Sequence, residues 1–184
     1  MKKLILGLLV LMTFSCGSGR IATTETKQTE TIVFGKLTIE SDKALINKKI
    51  LMHFNERLWG KHAVWLDESG YFYLKMPLGN NFIALLEYRD GGYYKNIPDN
   101  YISINVPLTD KIYYIGDISL VWTPSATDKR NNAGGVVGVL AEASKKGEKV
   151  NVSVSESDAA INYFKQMFPN NEKEIITSLA ITNN

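Results

Sequence analysis

Between Thr31 and Trp122, apolar residues recur at every second position in one short run after another. The runs are TIVFGKLTI, KKILMHF, HAVWLD, YFYLKM, NFIALLEY, YISINVPL and KIYYIGDISLVW. Successive side chains of an extended chain point to opposite faces, so this alternation belongs to strands with one buried face. It places Ile50, Met52 and Phe54 on one face of the second run and Ile102, Ile104 and Val106 on one face of the sixth. In the last run it puts Ile112, Tyr114, Ile118, Leu120 and Trp122 together. Asp67-Glu68-Ser69-Gly70 suits a type I turn, and Met76-Pro77-Leu78-Gly79-Asn80 is a second turn with proline presetting its φ. About seven short strands with turns at this spacing predict an antiparallel β-sandwich. No helical period interrupts the window, which argues against a parallel α/β sheet.

The segment DESGYFYLKMPLGNNFIALLEY resembles the D-x-x-G-x-F-x-F…P-x-G-x-Y-x-L run of carboxypeptidase regulatory-like domains. Gly35 in the first run and YYIGDISL in the last are similar to that family's opening and closing strands, so the resemblance covers residues 31–122, half the chain. Asn81-Phe82 stands where the family commonly has an aromatic after glycine. The resemblance implies a transthyretin-like Greek-key sandwich and a non-catalytic structural or binding role.

Residues 123–135, TPSATDKRNNAGG, read as a loop. Residues 136–184 read as a small α/β extension, a β-hairpin and two short helices packed on the sandwich. VVGVLAEA and KVNVSV flank Ser144-Lys145-Lys146-Gly147-Glu148 as the hairpin. In SESDAAINYFKQMFP a helical stripe joins Ala160, Ile161, Phe164, Met167 and Phe168, with Ser155 as N-cap and Asp158 three positions on. Asn171-Glu172-Lys173-Glu174 is expected to open the second helix, turning Ile175, Ile176 and Leu179 inward, with its early acids suited to a helix N-terminus.

At the other end, residues 1–15 read MKKLILGLLVLMTFS: two lysines, then an apolar run too short for the ~20 residues that span a bilayer. That is the form of a secretory signal. Thr13-Phe14-Ser15-Cys16 resembles the lipobox of bacterial lipoproteins, which ends in a small residue and then cysteine. Ser15 and Cys16 match; Thr13 replaces the usual leucine, and Phe14 is bulkier than usual. The resemblance implies cleavage before Cys16 and acylation of its thiol and new amine, with palmitate-like chains as the membrane anchor. Gly17 stands where an aspartate often retains lipoproteins in the inner membrane, so the resemblance implies the outer membrane rather than the inner. An ordinary signal with an incidental cysteine is the alternative. Each buried acyl CH₂ contributes ~0.8 kcal/mol, and stable anchoring takes more than one chain. Residues 16–30 then read as the lipidated cysteine and a polar tether.

Cys16 is the sole cysteine, so no disulfide can form within the chain. Loss of residues 1–15 removes Lys2 and Lys3 and no acid, leaving 19 basic against 19 acidic residues. That balance gives no footing for nucleic acid.

The chemistry-bearing residues are few. His53 alternates with Met52 and Phe54 and should face away from the core; His62 is in register with Val64 and Leu66 and should lie on the core face. The two histidines form neither a zinc spacing nor a metalloprotease helix motif, and there is no nucleophile elbow. Gly134-Gly135-Val136-Val137-Gly138 lacks the lysine and hydroxyl of a phosphate loop. In an up-and-down sandwich the loops 41–48, 67–70 and 89–100 share one end, bringing Asp42, Asp67, Glu68, Asp90 and Asp99 together with Tyr93 and Tyr94. Such acids either bind Ca²⁺ or remain solvated turn residues. Tyr93 and Tyr94, and Trp59 at the other end, are the candidate ligand-binding residues, because aromatic rings offer large contact area with a polar tip.

The expectation is therefore a lipid-anchored cell-envelope protein, held by Cys16, that serves as a non-enzymatic binding or structural module. It needs no cofactor or metal, and its partner is an envelope protein or a glycan or peptide ligand. The alternative is an envelope hydrolase or an accessory subunit of an envelope assembly.

Overall fold

The structure, a computed structural model, describes residues 25–57, 61–129 and 145–183. Two β-sheets face each other across the main core, and one helix covers the outer face of the first sheet. The mainly-β sandwich with a small helical extension is thus the observed fold.

The elements are β1 (Glu30–Glu40), β2 (Ile50–Phe54), β3 (Ala63–Trp65), β4 (Tyr71–Pro77), β5 (Gly79–Tyr88), β6 (Tyr93–Asn96), β7 (Ile102–Val106), β8 (Ile112–Val121), β9 (Val152–Ser155), α1 (Asp158–Met167), β10 (Ile175–Thr177) and β11 (Ile181–Thr182). The first sheet runs β4-β1-β8, with β9 and β10 on different stretches of β8. The second runs β3-β2-β5-β7-β11, with β6 on the C-terminal half of β5. Most pairings are antiparallel, but β1 and β10 both pair parallel to β8. Tyr93–Asn96, which was expected within a loop, forms β6, because Gly91 and Gly92 take positive φ and fold the chain back onto β5.

Ile50, Met52 and Phe54 lie in the main core, as their alternation requires. β8 departs from the simple pattern. Tyr113 and Ile115 face the main core, whereas Ile112 and Tyr114 face the helix; Ile118, Leu120 and Trp122 face the main core again. The five residues assigned by alternation to one face of β8 therefore divide between two. The cause is a bulge: Phe34 pairs with Tyr114 but Lys36 with Asp117, so β8 holds one extra residue. Gly116 sits in the bulge at φ +100°, and Gly35 lies so close that an added Cβ would be 2.6 Å from the Gly116 carbonyl oxygen.

The helix is held by rings. Phe164 stacks on Phe34 with centroids 4.2 Å apart, Tyr163 stacks on Tyr71 at 4.2 Å, and Phe168 meets Tyr73 edge-on. Its N-cap is Ser157, whose hydroxyl accepts from the Ala159 amide at 3.2 Å; Ser155, the expected cap, ends β9 instead. The Tyr114 hydroxyl accepts from the Ser157 amide and donates to Asp117, tying the helix start to β8. Burial and Asp117 push that phenol up, so it stays neutral.

No second helix forms at Asn171–Glu174. That stretch leads into β10 on the first sheet; the chain then crosses the core edge at Ala180 and joins the second sheet as β11. The open edges of β8 and β7 are available to a β-branched segment, and Ile175-Ile176-Thr177 suits a strand better than a helix. Of the expected hairpin, the arm KVNVSV runs into β9; the other arm, VVGVLAEA, lies outside the described residues.

Candidate functional site

The outer face of the second sheet carries a connected polar and aromatic grouping. Cross-strand register builds it in two rows. Trp65 pairs with Leu51, Leu51 with Glu87 and Glu87 with Tyr94; beside them Ala63 pairs with His53, His53 with Leu85 and Leu85 with Asn96. Because alternation sends Met52, Phe54 and Leu86 into the main core, the residues between them on β2 and β5 come out on this face.

Glu87 is the hub. Its side chain is 12% exposed. Arg89 Nε donates to Oε1 at 2.9 Å, and the Tyr94 hydroxyl donates to the same oxygen at 3.3 Å. The Arg89 guanidinium lies 4.7 Å above the Trp65 ring, a cation–π contact that fixes its plane. His53 Nε2 lies 3.5 Å from Glu87 Oε2, a diagonal contact across the sheet. At that separation it is an electrostatic neighbour rather than a well-formed hydrogen bond. Burial pushes the Glu87 carboxyl up, but His53 and Arg89 outweigh it and hold the group below its ordinary value of 4.5.

His53 itself is 6% exposed, and neither ring nitrogen has a hydrogen-bond partner. Its side chain does leave the main core, as alternation demands, yet it is buried rather than solvated. A buried imidazole without partners costs about 1–3 kcal/mol, so its position calls for a role beyond packing. His62 is half-buried just before β3, and its carbonyl accepts from the Phe54 amide at 2.8 Å.

Of the ligand-binding candidates, Tyr94 belongs to this face. Tyr93, its neighbour on β6, points the other way, packs against the main core and carries Lys129 Nζ 5.6 Å above its ring. Trp59 and Cys16 lie outside the described residues. Trp65, Glu87 and Arg89 were not singled out from the sequence, because they come from β3, β5 and the residue after β5, and the pairing that gathers them is not written in any one segment.

The acidic loops behave as turns. Asp67 accepts from the Ser69 and Tyr71 amides at 2.8 Å and from the Tyr163 hydroxyl at 2.5 Å; Glu68 pairs with Lys48, and Asp99 with Arg57. Among the described residues, no three acidic or histidine side chains converge on a point where a metal could sit. A separate cleft of about 390 Å³ opens below the end of the helix between Phe168, Lys173 and Ile175, but the Lys173 amine is engaged by Thr26 and Thr109.

No protein-family model matches the chain, and no curated protein matches it. Among solved structures it is similar to a DUF3823 family protein from Parabacteroides merdae, at 23% identity and a TM-score of 0.27. That likeness covers 53% of this chain and spans about half, 48%, of the other.

Proposed function

We propose that this is a lipid-anchored cell-envelope protein, tethered through acylated Cys16, whose outer sheet face is a non-enzymatic binding surface for a glycan or a peptide. The observation that carries the binding reading is the Trp65–Arg89–Glu87–Tyr94 grouping beside a buried His53 whose polar neighbour is Glu87 at 3.5 Å. The guanidinium plane fixed on the indole and the phenol edge beside it offer stacking and hydrogen bonding to hydroxyls or amides. The short apolar leader ending at Ser15-Cys16 supports the anchor and the outer-membrane assignment, and the carboxypeptidase regulatory-like pattern supports a non-catalytic module.

Titration of the purified chain with a panel of soluble glycans and short peptides, read by tryptophan fluorescence, tests the surface. Arg89→Ala and Glu87→Gln should each weaken the best ligand at least tenfold while leaving the circular dichroism spectrum unchanged. Binding that survives both substitutions would locate the ligand elsewhere. Cys16→Ala should leave an unprocessed precursor or a soluble product; a variant processed and membrane-bound like the parent would remove the anchor.

A further inference from the structure

We infer that the end of the sandwich formed by the loops at Pro77-Leu78 and Pro107-Leu108 rests on the bilayer, with the two leucines seated in its interface. This rests on the anchor reading above. The same dipeptide occurs at both loop tips, and β5 and β7 bring the tips side by side, since Gly79 pairs with Val106. Leu78 is 43% and Leu108 52% exposed, although each is a large aliphatic group.

Both are held out rather than left loose. The Leu78 amide donates to the Thr29 carbonyl at 3.3 Å, and the Leu108 amide donates to the hydroxyl of Tyr113, a ring otherwise sunk in the core. The chain enters the fold at this same end. Thr29 touches one tip, and Lys173 Nζ links Thr26 to the Thr109 carbonyl beside the other, at 2.8 and 3.0 Å.

Reach does the rest. Nine peptide steps separate Cys16 from Glu25, and each spans at most ~3.6 Å, so Glu25 stays within about 30 Å of the anchored sulfur. The opposite end lies a strand further away: β1, Glu30–Glu40, is about 35 Å long at ~3.3 Å per residue. The leucine-tipped end is therefore the one presented to the membrane. Charge adds little, because Lys111 is already paired with Glu174 and Asp110. Contact by apolar side chains does not require anionic lipid. Arg89, whose amide bonds the Lys49 carbonyl at the far end of β2, is thereby lifted away from the bilayer.

The test uses the acylated full-length chain in phosphatidylcholine vesicles. With Cys16 acylated, Leu108→Cys supplies a single thiol for an environment-sensitive nitrobenzoxadiazole probe, and Ser69→Cys at the opposite end is the control. The Leu108 probe should shift to the blue on vesicle binding and be quenched by bromine-labelled acyl chains, and the Ser69 probe should do neither. If both probes remain equally solvated while mass spectrometry confirms acylation, the leucines do not touch the bilayer and the anchor reading stands. If Cys16 carries no acyl group, both ideas fall. Leu78→Ser with Leu108→Ser, two exposed positions, should speed transfer to acceptor vesicles several-fold; an unchanged rate would count against insertion.

Discussion

At the scale of single residues, Glu87 is a largely buried carboxylate among charged and polar neighbours. Its carboxyl is held below its ordinary value of 4.5 although burial opposes this, because His53 and Arg89 lie against it. A carboxylate whose folded pKa is depressed contributes stability above its unfolded pKa, and that contribution is lost as pH falls through the folded value. The parent should therefore be more stable than Glu87→Gln at pH 7, and the gap should close below about pH 4.5. Thermal midpoints of both proteins between pH 7 and pH 3.5 measure this, since groups common to the two cancel. A gap of constant size would show that packing, not charge, sets the effect. The period of two was enough to send His53 away from the core, whereas Tyr94 was expected in a loop. It could not show that Glu87 lies between them, because cross-strand register is set by pairing, with β2 more than thirty positions before its partner on β5 and β6 folded back by a glycine turn.

At the scale of elements, local pattern succeeded where a strand keeps its phase along its whole length and failed where a bulge or a competing surface intervenes. β2 and β7 follow their alternation throughout. β8 is buried on both sides along its first half, with Tyr113 toward the other sheet and Tyr114 toward the helix, and the bulge at Gly116 then shifts the phase by one. Alternation cannot report such a shift in advance. The acidic run before Ile175 has the look of a helix start, yet the unfilled edge of β8 takes that segment as β10. Helix α1 was legible because its apolar stripe is regular, and its burial is now specific: Phe164 is 1% exposed and sits between Phe34 and Phe168. Phe164→Ala should cost about 3–5 kcal/mol, as truncations of buried aromatics do. Urea unfolding should show one transition displaced as a whole. Two transitions, with only a minor one displaced, would mean that the helix folds apart from the sheets.

At the scale of the whole molecule, the last described residues join what the rest of the chain leaves separate. β10 lies in one sheet and β11 in the other, and between them the Ser178 and Ala180 amides bond the Tyr114 and Ile115 carbonyls at 2.8 and 2.9 Å. A chain ending at Glu174 would expose the edges of β8 and β7 and open the core at Ala180. Such a truncation should lose its cooperative unfolding transition and bind anilinonaphthalene sulfonate; if it keeps the parent's midpoint, β10 and β11 are ornaments on a finished sandwich. The parallel contact between β1 and β8 carries a further consequence, one of timing. β1 is the first strand to leave the ribosome, but Val33 meets its partner Tyr113 about 80 positions later, and β10 later still. Loops of that length are closed slowly, so folding should take milliseconds to seconds rather than microseconds. The amino-terminal strands therefore cannot complete the first sheet until β8, residues 112–121, has been made.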